Sequence, residues 1–254
     1  MLDKSVADTF SHAASLYKQH DVLQRITAKT LQGNAILTGH LADIGCGPGT
    51  CFSDFSSVSN VTAIDIAAGM LEQVRLNYPQ YSTLNCDAQS LTLSANSVDS
   101  VYSNLALQWC DDFPKAVNEI ERVLVDNGVC SLAIVADGSL PELQTLGFRT
   151  NQFASMPSLL SAFGVKDASM QSCNSHWTVL QAKVEKVTVY FADLRSLLYS
   201  IKGVGASAGQ AGSQSRAMLS KSAWQERVVL AQGLATEKGI PLTYHIAYIH
   251  AKKR

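Results

Sequence analysis

Apolar and polar positions follow two rhythms along this chain. From residue 41 to residue 136, short β-branched runs alternate with amphipathic stretches. The runs at 41–45, 61–65 (Val-Thr-Ala-Ile-Asp), 81–86, 98–103 and 128–136 read as strands, with helices predicted near 50–57, 67–78 and 112–124. Strands that alternate with helical segments predict parallel βαβ units. Upstream, Val6, Phe10, Ala13, Ala14 and Tyr17, then Val22, Leu23, Ile26 and Leu31, recur at helical spacing and predict two helices within 3–35. Residues 137–170 mix Gly, Pro and Ser with short apolar runs and read as an insertion. Residues 183–191 alternate as a strand does, and Asp193 is placed to cap a helix through Leu194, Leu197, Leu198 and Ile201. Residues 203–215 are rich in Gly, Ala and Ser and predict a mobile loop. A helix over Ser220 to Gln232 and a strand over Leu242 to His250 complete the chain. The expectation is one α/β domain over 1–254, with a doubly wound, mostly parallel seven-stranded sheet. Helices at 1–35 precede a ligand-binding core at 41–136, and insertions at 137–170 and 192–236 form a lid.

The chemistry is concentrated in residues 41–50, Leu-Ala-Asp-Ile-Gly-Cys-Gly-Pro-Gly-Thr. A strand running into a glycine turn is how an open parallel sheet builds a nucleotide site at its carboxyl edge. The spacing disfavours a dinucleotide. That fingerprint is G-x-G-x-x-G, whereas here Gly45 and Gly47 are followed by Gly49 one residue early, with Thr50 in the third glycine's place. Pro48 removes a backbone donor, and Asp43 would repel an anion. A cationic ligand without phosphate, such as S-adenosylmethionine, suits the loop better. The pattern resembles the first signature of class I, Rossmann-like methyltransferases.

Further candidates close the later strands. Asp65 lies where an acid meets a ribose diol, and it is equally placed to cap the next helix. Asp87 and Ala88 are expected at the adenine edge, Asn104 at the carboxyl end of the fourth strand, and Ile66, Met70 and Leu105 as apolar walls. Composition narrows the partners. The 254 residues are 46% hydrophobic with net charge −1, so nucleic acid is not an expected partner. No apolar stretch is long enough to span a membrane and no secretory signal pattern appears, which together predict a cytoplasmic monomer. The six cysteines, at 46, 51, 86, 110, 130 and 173, lack ligand spacing, so no metal is expected.

A more specific resemblance spans nearly the whole chain. Phe10-Ser-His-Ala-Ala-Ser-Leu-Tyr17, Leu23-Gln-Arg25, Asn104-Leu-Ala-Leu-Gln-Trp-Cys110, Gly138-Ser-Leu-Pro-Glu-Leu143, Ile201-Lys-Gly-Val-Gly-Ala206 and Pro241-Leu-Thr-Tyr244 resemble the malonyl-acyl-carrier protein O-methyltransferase family of biotin synthesis. The resemblance implies methyl transfer from S-adenosylmethionine to the free carboxylate of a malonyl thioester, leaving S-adenosylhomocysteine. Another small carboxylic acid or a quinone-type substrate is the alternative. A malonyl carboxylate is ionised at neutral pH, so no general base is expected. Substrate-positioning candidates are Tyr17, Arg25, Gln108, Trp109, Arg149 and Lys202, with Arg25 also placed for the cofactor's carboxylate. Relatives often carry a basic residue where Gln152 stands, which either moves any such grip to Arg149 or Lys202 or implies a different substrate. An acyl-carrier protein is acidic, and residues 183–227 hold Lys183, Lys186, Arg195, Lys202, Arg216, Lys221 and Arg227 against Glu185, Asp193 and Glu226.

Overall fold

The computed structural model describes residues 21–165, 176–203 and 220–254. The first predicted helix, with Tyr17, and most of the loop at 203–215 lie outside the described residues. In chain order the elements are α1 (Val22–Asn34), β1 (Gly39–Ile44), β2 (Val58–Asp65), α2 (Ala68–Asn77), β3 (Ser82–Asn85), β4 (Val98–Asn104), a 3-10 turn (Leu107–Trp109), α3 (Phe113–Val123) and β5 (Leu124–Ala136). They continue with α4 (Pro141–Thr145), α5 (Met156–Ser161), β6 (Trp177–Phe191), α6 (Leu194–Gly203), α7 (Lys221–Leu234) and β7 (Ile240–Lys253). The seven strands form one sheet in the order β3-β2-β1-β4-β5-β7-β6. β1 to β5 are parallel, while β7 runs antiparallel to both β5 and β6.

Local chemistry accounts for the elements. β1, β4 and β5 are buried over most of their length, consecutive residues included, as central strands covered on both faces are. In α3, Ala116, Val117, Ile120 and Val123 form the buried stripe. Its start is set by Pro114 in the first turn and by Asp112, whose carboxylate accepts from the Lys115 N–H at 3.0 Å. Asp193 caps α6 as expected, accepting from the Ser196 N–H at 2.7 Å. The described parts of the two insertions share one apolar cluster. Leu140, Leu143 and Leu146 pack with Leu194, Leu197, Ala231, Ile240 and Leu242, and Leu105 and Phe153 lie against them.

One expected element is absent. No helix forms at 50–57; these residues are turns and extended chain. Only 45–57 separate Ile44 from Val58, and the glycine turn consumes the first five of them. A parallel crossover of this length is at the lower limit, and the usual helix does not fit. Aromatic side chains fill the space instead. The Phe52 ring meets Tyr102 edge-on at 5.1 Å, with Phe55 and Tyr81 each at 6.4 Å. Strands β2, β5 and β6 also begin earlier than expected, at 58, 124 and 177.

Candidate active site

The parallel strands end along one edge. Ile44 pairs with Ile64, Asp65 with Asn85, and Asn104 with Ala133, so the acids and amides that close these strands converge there. Gly45, Gly47 and Gly49 have φ of 67°, 54° and 100°, the left-handed region that favours glycine. A Cβ at Gly45 would overlap the Ala106 methyl, and one at Gly49 would lie 2.7 Å from the Tyr78 ring.

The backbone donors of this loop are already spent. The Gly45 and Cys46 N–H groups donate to the Ile64 carbonyl at 2.8 and 3.0 Å, and the Gly49 N–H donates to the Cys46 carbonyl at 3.0 Å. The Gly47 N–H donates to Asp65 Oδ2 at 2.9 Å. Pro48 has none to give. A pyrophosphate laid over Gly45–Gly49 would therefore meet the Asp43 and Asp65 carboxylates and no amide free to donate. The side chains present the opposite demand. Asp43 Oδ2, Asn104 Oδ1 and Gln24 Oε1 are buried acceptors without a partner. Three acceptors in want of donors favour a cationic, donor-rich ligand.

Electrostatics agree. Asp43 is 1% exposed. Burial first, then the Asp65 charge, pushes its carboxyl up to about 8, with the Thr50 hydroxyl pulling the other way. Burial likewise raises Asp65 to about 6, against the N–H groups of Ala67, Gly47 and Ile66. Asp65 Oδ1 accepts from the Ala67 N–H at 2.8 Å, so the residue braces the start of α2 and the glycine loop together. Asn85 holds the same corner, donating to the Asp65 and Ile66 carbonyls at 2.8 and 3.0 Å.

Two cavities flank the loop. A slot of about 90 Å³ is walled by Ile64, Ile66, Met70, Ala88, Leu107 and Trp109, with Asp65 and Asn104 at its rim. A cleft of about 990 Å³ runs between α1 and residues 45–55, with Asp43 and Asn104 among its lining residues. α1 reaches the site through Asn104 Nδ2, which donates to the Gln24 carbonyl at 3.0 Å. Leu105 takes φ 54°, and its N–H donates to the Ala133 carbonyl at 2.8 Å. This uncommon conformation for a bulky residue packs it against the insertion cluster.

The other candidates are placed as follows. Trp109, a substrate-positioning candidate, lines the slot. Gln108 Nε2 donates to the Leu105 carbonyl at 2.7 Å. Asp87 does not line the slot; its Oδ1 accepts from the Gln89 N–H at 2.8 Å, so it serves its own turn. Arg25 lines the cleft and pairs with Asp21 at 3.0 Å. Arg149 is exposed and lines neither cavity. The backbone of Lys202 lies in α6. Gln24, Thr50, Asn85, Tyr78 and Tyr81 were not singled out by the sequence pattern. Among the described residues, no group of three or more His, Cys, Asp or Glu is placed to hold a metal, and no helix is long and apolar enough to cross a membrane.

Comparison with known proteins places this edge in context. Residues 42–132 match the family model described as a methyltransferase domain. YcgJ of Bacillus subtilis superposes with a TM-score of 0.56 at 16% identity, covering 90% of this chain and 97% of that one. The cyclase SpnF does so with a TM-score of 0.53 at 18% identity, covering 91% and 81%. These likenesses establish the class I, Rossmann-like methyltransferase fold. Sequence relatives go further. The malonyl-acyl-carrier protein O-methyltransferase of Pectobacterium atrosepticum is 34% identical, covering 96% of this chain and 94% of that one. The Salmonella typhimurium protein of the same name is 33% identical with the same coverage. The biotin biosynthesis bifunctional protein BioHC of Cellvibrio japonicus is 30% identical, over 97% of this chain and 49% of that one. The chain belongs to the malonyl-acyl-carrier protein O-methyltransferase family.

Proposed function

We propose that this chain binds S-adenosylmethionine along the edge formed by Asp43, Asp65 and Asn104. It then methylates the free carboxylate of a malonyl thioester on an acyl-carrier protein, giving the methyl ester that primes pimeloyl and biotin synthesis. The observation that carries the cofactor assignment is the polarity of the loop: its amides are spent, while Asp43, Asn104 and Gln24 hold unpartnered acceptors. When bound, S-adenosylmethionine supplies a methyl group on a positively charged sulfur. Asp43, Asn104 and Gln24 suit its ammonium end, Asp65 its ribose diol, and Ile64, Ile66, Met70 and Trp109 the purine.

The substrate carboxylate is ionised at neutral pH and needs no base. What remains for the protein is alignment and exclusion of water. We assign the covering role to residues 137–170 and 192–236. Lys202, at the end of α6, is the proposed partner of the malonyl carboxylate, and the basic stretch at 183–227 the proposed landing surface for the acidic carrier.

Mass spectrometry of malonyl-carrier incubated with the protein and S-adenosylmethionine tests the assignment. A gain of one methyl group on the carrier is expected. A gain on malonyl-CoA alone would move the substrate, and no gain on either would overturn the activity. Lys202→Ala should raise KM for the carrier substrate with cofactor affinity unchanged; equal loss of both would remove Lys202 from the acyl site.

A further inference from the structure

A loop that carries a cofactor must be held still, and this one lacks the helix that normally follows it. A helix would have satisfied the carbonyls of its first turns from within. Here three of those carbonyls are capped from outside. Asn77 Nδ2, at the end of α2, donates to the Pro48 carbonyl at 3.3 Å. Tyr81 Oη donates to the Thr50 carbonyl at 3.2 Å. Gln32 Nε2, from α1, donates to the Cys51 carbonyl at 3.0 Å.

Tyr81 carries more of this than the other two. Its hydroxyl also accepts from the Phe52 N–H at 3.2 Å, so one oxygen ties down residues 50 and 52 together. Its ring stacks on Tyr78 at 4.9 Å with planes 6° apart. The Tyr78 ring in turn fills the space that a Cβ at Gly49 would need. The hydroxyl and the stack thus fix the loop from Gly49 to Phe52. Thr50, between those residues, faces the Asp43 carboxyl.

We propose that Tyr81 is a positioning residue for the cofactor: with Tyr78 beneath it, its hydroxyl replaces the missing crossover helix and holds residues 49–52 against Asp43. The proposal rests on the cofactor assignment above. It adds a residue some 30 positions beyond the glycine motif that itself lines neither cavity.

Tyr81→Phe removes the hydroxyl and keeps the stack. It leaves the Phe52 N–H and the Thr50 carbonyl without their partner, and loss of two partly buried hydrogen bonds corresponds to roughly tenfold in an equilibrium constant. Calorimetric titration with S-adenosylhomocysteine should show a Kd about tenfold weaker in Tyr81→Phe, measured well below the melting transition. KM for S-adenosylmethionine should rise with kcat at saturation and KM for the malonyl substrate little changed. Loosening Thr50 also removes a contact that favours ionised Asp43, so the pH midpoint of binding should move upward. Gln32→Ala releases the same loop from the other side and should weaken binding by a few-fold. Wild-type affinity and an unmoved pH midpoint in Tyr81→Phe, with only a lower Tm, would overturn the inference. Wild-type protein that fails to bind S-adenosylhomocysteine would instead overturn the cofactor assignment.

Discussion

Replacing Asp43 by Asn should stabilise the ligand-free protein at neutral pH and leave it little changed in mild acid. The carboxyl is 1% exposed, and its partner-free Oδ2 has no cation to face. Its pKa rises from 3.8 to about 8 on folding. The sign follows from linkage. The folded value exceeds the unfolded one, so between pH 3.8 and about 8 the native state binds a proton that the unfolded state has released. Stability therefore falls as pH rises through that window. At about 1.4 kcal/mol per pH unit, going from roughly pH 5 to roughly pH 7.5 costs the wild type about 3 kcal/mol through this group alone. An amide does not titrate and escapes that cost. Asp65, raised to about 6, has the same sign but is present in both proteins and largely cancels in the difference.

Thermal unfolding at the two pH values reads the effect directly. At about 2–4 °C per kcal/mol for a protein of this size, the Asp43→Asn advantage should grow by about 6–12 °C between mild acid and neutral pH. The variant should simultaneously lose cofactor affinity, because the acceptor that meets the ammonium has lost its charge. An advantage of equal size at both pH values would show that Asp43 does not take up the proton and would refute the reasoning.

Cofactor binding should itself be pH-dependent: a cation stabilises ionised Asp43 and Asp65, so affinity should rise from about pH 6 to about pH 8 with release of protons. The dependence should be steeper for S-adenosylmethionine than for S-adenosylhomocysteine, whose sulfur is uncharged, and calorimetry in buffers of different ionisation enthalpy would detect the protons. Gly45→Ala should destabilise the protein by about 2–4 kcal/mol, combining a positive φ with overlap on Ala106; adding Ala106→Gly should restore the steric part, seen as a partial recovery of Tm.

The order of elements was legible because each strand of the edge is a short apolar run closed by an acid or amide: Asp43, Asp65, Asn104. Their convergence follows from parallel pairing, which alternating strands and helices imply. The helix expected at 50–57 failed for a reason of length. Phe52 and Phe55 sit three apart and mimic a helical face, but the crossover from Ile44 to Val58 has no room for one once the glycine turn is made. The early start of β6 at Trp177 was missed because apolar Leu180 stands at an exposed position and breaks the apolar-polar alternation that the buried Trp177 and Val179 begin. The 3-10 turn at 107–109, which brings Trp109 to the slot, has no clear sequence signal. Gln24, Tyr78 and Tyr81 act on the site from 29 to 80 positions away, and no local pattern reports a contact at that separation.

The site is assembled from groups that each cost the ligand-free protein something. Asp43 and Asp65 are held in surroundings that disfavour their charge, three buried acceptors lack donors, and Leu105 occupies a left-handed conformation. A structure can keep such an arrangement only when the surrounding framework over-determines it. Here that framework is visible: Asn85 on the corner after β2, Tyr81, Asn77 and Gln32 on the glycine loop, and Asn104 on α1. A donor-rich cation would relieve most of these costs at once, satisfying the acceptors and neutralising the carboxylates. The same groups that lower the stability of the free protein therefore supply the affinity for its ligand. Neutralising Asp43, which braces nothing in the loop, should move stability and binding in opposite directions, whereas removing Asn85, Tyr81, Asn77 or Gln32 from the framework should weaken both.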